Sequence, residues 1–77
     1  MTTPIKVGET LVCLKHIDRQ DGRTRLAPGN RVNVIQEFTF NHEGVSHQDI
    51  TVVCGGKLPV AVLVNDDVFR RLREGET

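Results

Sequence analysis

The sequence predicts a mainly β domain, a small five-stranded barrel carrying a short C-terminal helical turn. Turn-forming residues cut the chain at Asp21-Gly22, Pro28-Gly29, Asn41-His42-Glu43-Gly44 and Gly55-Gly56. The segments between them have strand length and β-compatible side chains, and a stretch with helix-capping residues comes after the last of them.

The first strand is read from Thr10 to Ile17, where Leu11, Val12, Cys13, Leu14 and Ile17 place apolar side chains on both faces. A long polar loop comes next. Arg31 to Phe40 alternates more cleanly, with Val32, Val34, Phe38 and Phe40 expected on the inner face and Asn33, Glu37 and Thr39 on the outer one. Ile35 and Gln36 interrupt that alternation. After a hairpin, Asp49 to Cys54 repeats the pattern with Ile50, Val52 and Cys54 inward and Thr51 and Val53 outward.

Leu58 to Val64 is apolar on both faces, and Pro59 confines it to a strand beginning or an edge. Its outer residues Pro59, Ala61 and Leu63 therefore need a cover, either the C-terminal segment or a second copy of the chain. Asn65 or Asp66 can cap a short helix, with Asp66 and Asp67 at its positive end, Arg70, Arg71 and Arg73 at its negative end and Gly75 as its stop. Val68, Phe69 and Leu72 would be its buried side. Four strands are visible in this order, so the fifth must come from residues 4–8 or from the C-terminal end.

The 77 residues, 38% of them apolar, suffice for one core, so residues 1–77 are read as a single domain. Residues 1–7 are expected to be a flexible or edge-strand N-terminus and residues 74–77 a frayed tail. Ten basic residues balance ten acidic ones, which removes the global field that gathers a protein onto nucleic acid or an anionic membrane. Any such partner must meet a local patch. The longest apolar run, Val60 to Val64, is far too short to span a bilayer, and the first residues lack a signal-peptide pattern, so a cytoplasmic location is expected. Cys13 and Cys54 are expected to be reduced thiols. There is no Trp and no Tyr, which weakens the case for a stacking platform for single-stranded nucleic acid.

Gly8-x-x-Leu11-Val12-Cys13-Leu14-Lys15, then a polar loop and Leu26-x-Pro28-Gly29-Asn30-x-Val32-x-Val34, resembles small SH3-like barrel proteins of bacteriophages and mobile elements. Val62-Leu63-Val64-Asn65-Asp66-Asp67-Val68-Phe69 is similar to the last strand, short turn and closing Phe of that family. The resemblance covers roughly residues 8–72 and implies an SH3-like fold. Arg31 stands where the family usually has an aromatic residue, so an aromatic groove does not transfer. Val7-Gly8-Glu9-Thr10-Leu11 and Val60-Ala61-Val62 through Asp67-Val68-Phe69 also resemble pieces of the carbon storage regulators, small β dimers that bind messenger RNA. Asn65 stands where that family carries an RNA-contacting Arg.

Cys13, His16, His42, His47 and Cys54 are residue types that zinc prefers, but an odd step separates Cys13 from His16 in a strand, and no Cys-x-x-Cys pair exists. No metal site is expected. Ser46, His47 and Asp49, or Cys13 with His16, suggest a nucleophile and its base, yet a domain this small rarely encloses the oxyanion pocket such chemistry needs. Gly55-Gly56-Lys57 lacks the rest of a phosphate-loop pattern and reads as a turn. No cofactor and no catalytic activity are expected.

The basic residues between the first two strands are more informative. Lys15, Arg19, Arg23, Arg25 and Arg31 surround one loop with only Asp18 and Asp21 against them. The expectation is a non-enzymatic protein-binding module, a regulator or inhibitor of a host protein, using this loop and a strand edge. The alternative is a small barrel that applies the same loop to RNA or DNA phosphates.

Overall fold

A computed structural model describes residues 4–76. Its strands are β1 (Thr10–Cys13), β2 (Ile17–Asp18), β3 (Arg25–Leu26), β4 (Arg31–His42), β5 (Val45–Val53), β6 (Val60–Leu63) and β7 (Phe69–Arg71). Five of them form one antiparallel sheet in the order β6-β5-β4-β1-β7, and β2 and β3 form a separate ribbon. The mainly β expectation holds. Among the described residues no ladder joins β6 to β7, so the five strands do not close into a barrel.

The first loop is more structured than its polar composition suggests. Ile17 pairs with Leu26 and Asp18 with Arg25, and Gly22, at a φ of 74°, lets the chain reverse at the ribbon's tip. Leu26 is thereby delivered into the core. Its partners there are Ile5, Leu11, Cys13, Val32, Val34, Ile50, Val52, Val60 and Phe69, all buried. Cys54 packs partly buried against the same cluster, as the alternation of β5 requires.

The inward assignment of Phe38 and Phe40 is overturned. Val34 pairs with Val52 but Gln36 with Thr51, so Ile35 is an extra residue, a β-bulge, and every later side chain of β4 changes face. Glu37 now stands opposite Ile50 while Phe38 stands opposite Asp49. Phe38 is consequently 64% exposed. The hairpin beyond turns on Glu43 and Gly44, both at positive φ, the backbone of a two-residue type I′ turn whose twist suits the flanking strands.

The expected C-terminal helix is also corrected. Asn65 does cap a turn: its side chain accepts the Asp67 N–H at 2.9 Å, and its carbonyl accepts those of Val68 and Phe69 at 3.0 and 3.2 Å. One turn closes and the chain then extends into β7, with Leu11 opposite Arg71, Val12 opposite Arg70 and Cys13 opposite Phe69. A helix of about nine residues gains little by itself, whereas pairing with the free edge of β1 bonds both backbones and buries Phe69. The fifth strand thus comes from the C-terminal end. Because β7 lies at the opposite edge of the sheet from β6, the C-terminal segment does not cover Pro59, Ala61 and Leu63.

The chain ends are held by polar clasps. Residues 4–7 are not a strand; the backbone N–H of Ile5 donates to Gln48 Oε1 at 3.0 Å and its carbonyl accepts from Gln48 Nε2 at 2.6 Å, which fixes the Ile5 side chain in the core. Arg71 Nε donates to Glu9 at 2.9 Å and its Nη2 to the Pro4 carbonyl at 3.1 Å. Of the tail at residues 74–77, Glu76 accepts both guanidinium nitrogens of Arg70, at 2.8 and 2.9 Å. Residues 1–3 and 77 lie outside the described residues. No helix of the described residues is long and apolar enough to cross a membrane.

This packing has two testable consequences. Phe69→Ala removes the largest fully buried side chain, at a cost of about 3–5 kcal/mol, comparable to the whole stability of a domain this small. A urea titration should find the variant largely unfolded in buffer; an unchanged midpoint would refute the role given to β7. The Arg71 hydrogen bond lowers the Glu9 carboxyl below its ordinary 4.5, and the Arg70 pairing takes Glu76 to about 2. Both carboxylates are easier to ionise when folded, so their stabilisation is complete above about pH 4.5 and is lost as pH falls toward 2. Glu9→Gln with Glu76→Gln should flatten the acid side of the urea-midpoint profile.

Candidate functional site

The bulge at Ile35 places the alternating residues of three strands on one outer face. Gln36, Thr51 and Ala61 stand level across β4, β5 and β6, and Phe38, Asp49 and Leu63 form the next row. Leu63 is 46% exposed and Pro59 and Ala61 are exposed as well. Farther along the hairpin, Phe40 stacks on Phe38 with ring centres 6.0 Å apart and on His47 at 5.4 Å. The face is therefore an aromatic and aliphatic strip with one carboxylate, Asp49, set in it.

An open groove of about 590 Å³ crosses this face between Pro59, Ala61 and Thr51 on one side and the ribbon tip, Arg19, Gln20 and Asp21, on the other. Arg19 is fastened there. Its Nε donates to the Pro59 carbonyl at 2.9 Å, and its Nη1 pairs with Asp21. Lys57 Nζ donates to the Arg25 carbonyl at 3.1 Å, a second tie between ribbon and sheet. A smaller hollow of about 160 Å³ at Gln36, Phe38 and Asp49 joins the groove at Thr51 and Ala61.

The residues singled out in the sequence are only partly brought together. Arg19 meets Pro59 and Ala61 at the groove, uniting the basic loop with the doubly apolar strand. Arg25 pairs with Asp18 at 3.3 Å across the ribbon, and Lys15 and Arg23 are exposed. Arg31 belongs elsewhere: it pairs with Val12, level with Arg70, and its charge helps to hold Glu76 ionised. Two of the loop's guanidinium groups are thus partly neutralised by aspartates of the same ribbon, for a small gain in stability.

The catalytic and metal motifs separate in space. Along β5, Ser46 points to the opposite face from His47 and Asp49, so these three cannot form a relay. Cys13 is buried while His16 is exposed. His42 and His47 have ring centres 6.3 Å apart, but among the described residues no group of three or more His, Cys, Asp or Glu side chains converges on one point. Both cysteines are free thiols, and burial, with a smaller contribution from Cys54, pushes Cys13 up to about 11.

Phe38, Phe40, His47 and Asp49 are the site residues that alternation by itself assigns wrongly or leaves unassigned. The signal was the break at Ile35 and Gln36, where an extra residue reverses the parity of the remainder of β4. Comparison with models of known protein families, with curated proteins and with solved structures finds no match to this chain.

The thiol environments give a direct check on this geometry. With a disulfide-exchange reagent at neutral pH, partly buried Cys54 should react in the native protein and Cys13 only as the protein unfolds. Equal native rates at both would contradict the burial of β1.

Proposed function

We propose that the chain is a non-catalytic protein-binding module whose contact surface is the outer face of β4, β5 and β6 with the β2–β3 ribbon as its rim. The observation that carries this reading is the contiguous exposure of Phe38, Pro59, Ala61 and Leu63, with half-buried Phe40 beside them, next to a groove walled by Arg19 and Asp21. An apolar centre with a polar rim is the anatomy of an interface. The fastening of Arg19 to Pro59 supports the same reading, since a preordered rim costs less entropy to bind.

The finer reading is that of a small SH3-like domain of the bacteriophage and mobile-element type, acting as a regulator or inhibitor of a host protein in the cytoplasm. Support for the SH3-like part comes from the sequence resemblance and from the strand order, in which β7 returns to the free edge of β1 and the ribbon occupies the first long connection.

One observation favours a second reading, binding of single-stranded nucleic acid. The Phe38, Phe40 and His47 rings form a ladder on which bases could stack. Charge weighs against it, because Asp49, Glu37 and Glu43 lie along the same hairpin and the ribbon cation that lines the groove, Arg19, is already engaged by Asp21 and the Pro59 carbonyl.

The tagged 77-residue chain used as bait in a bacterial lysate, with and without nuclease, separates the two. The module reading expects a captured protein that survives nuclease and high salt and is lost with Leu63→Asp, an exposed change that leaves the circular-dichroism spectrum unaltered. Capture that disappears with nuclease and falls steeply with salt would replace it by the nucleic-acid reading.

A further inference from the structure

We infer that the face takes an arginine side chain of a partner protein, its guanidinium held between the Asp49 carboxylate and the Phe38 ring; the inference rests on the protein-binding reading above. Phe38, Asp49 and Leu63 stand side by side across three strands, so the carboxylate is framed by two exposed apolar side chains. Among the described residues no cation pairs with Asp49 and no donor hydrogen-bonds to it. An exposed carboxylate left without a partner beside apolar side chains can accept a charge-assisted hydrogen bond from an incoming cation.

The surroundings restrict which cation. No Lys or Arg lines the hollow at Asp49, and Arg19, at the far side of the joined groove, is engaged by Asp21 and the Pro59 carbonyl. Glu37 also borders the hollow, but its carboxylate lies on the opposite face of β4, where it accepts hydrogen bonds from Gln48 at 3.0 Å and Thr39 at 3.4 Å. One free carboxylate is too few for a metal ion. A phosphate would be repelled by Asp49. The hollow of 160 Å³ equals about five water volumes, room for one long side chain and not for a helix.

Arginine fits better than lysine for two reasons of shape. Its planar guanidinium can lie over the Phe38 ring, which Phe40 steadies by stacking, while its forked N–H groups reach the carboxylate edge-on. Its methylene stem can lie along Ala61 and Leu63, covering apolar surface that water otherwise contacts. A lysine ammonium is a more strongly hydrated point charge and forfeits the stacking.

The full chain, isotope-labelled for amide NMR, is titrated with three blocked tripeptides, Ala-Arg-Ala, Ala-Lys-Ala and Ala-citrulline-Ala. A single anchor binds weakly, so millimolar affinities are expected. The arginine peptide should shift the amides of residues 36–38, 49–51 and 61–63, the lysine peptide less, and the uncharged citrulline peptide hardly at all. Asp49→Asn and Phe38→Ala, both exposed changes whose folding the same spectra verify, should each weaken arginine binding roughly threefold to fivefold. Equal shifts with citrulline, shifts confined to residues 19–25, or indifference to Asp49→Asn would overturn the inference.

Capture from lysate separates its failure from that of the module reading. A partner retained equally by wild type and Asp49→Asn but lost with Leu63→Asp leaves the module and removes the arginine anchor. No partner with either removes both. A concentration-dependent dimer abolished by Asp49→Asn would place a second copy of the chain on the face and overturn the assignment to a foreign partner.

Discussion

Val34 pairs with Val52 and Gln36 with Thr51, and the residue between them, Ile35, has no partner in the ladder. That one unpaired residue divides β4 into two halves of opposite sense. Before it, Val32 and Val34 point into the core; after it, the apolar members Phe38 and Phe40 point out and the polar members Glu37 and Thr39 point in. Without the bulge both rings would turn to the inner side of the strand and Glu37 and Thr39 to the outer one. The candidate binding face thus depends on a break in pairing, and Ile35, itself 48% exposed, marks where the core ends and the projecting hairpin begins.

The bulge also creates a need that the N-terminal segment meets. Past Ile50 the inward side of the hairpin carries Gln48 and Glu37, which require hydrogen-bond partners rather than apolar ones. Gln48 finds them in the backbone of Ile5 and the carboxylate of Glu37, and the exchange with Ile5 seats its side chain against the core. At the other edge of the sheet, Arg71 ties Glu9 and Pro4, and Arg70 ties Glu76. A core of about ten side chains gives little stability to spare, so pinning both chain ends through charged hydrogen bonds is a sensible use of residues that would otherwise add only charge.

Pairing within the fold explains the basic loop as well. A run of cations in sequence need not be a cationic surface: the ribbon folds Asp18 onto Arg25 and Asp21 onto Arg19, and Arg31 is carried away by β4. What remains at the groove is Arg19 used as a brace, bonded to the Pro59 carbonyl just before β6. The ribbon therefore shapes the groove more than it charges it. Among the described residues, the unpaired charge on the face is of the opposite sign, at Asp49.

Local sequence by itself located three strands, read at 31–40, 49–54 and 58–64, the turns at Gly44 and Gly55, and the inward set Ile50, Val52 and Cys54, because two-residue periodicity and turn chemistry are properties of neighbours along the chain; it missed that β5 begins at Val45. It also marked Pro59, Ala61 and Leu63 as a face in want of a cover, and they are exposed. Only the tertiary structure decided the rest. The bulge requires a partner strand before an extra residue has meaning. The free edge of β1 turned residues 69–71 into a strand although their flanking residues were those of a short helix. Which charges remain free was settled by contacts between residues far apart in the chain, sixty-two positions for Glu9 and Arg71, and such pairings leave no periodic trace in the sequence.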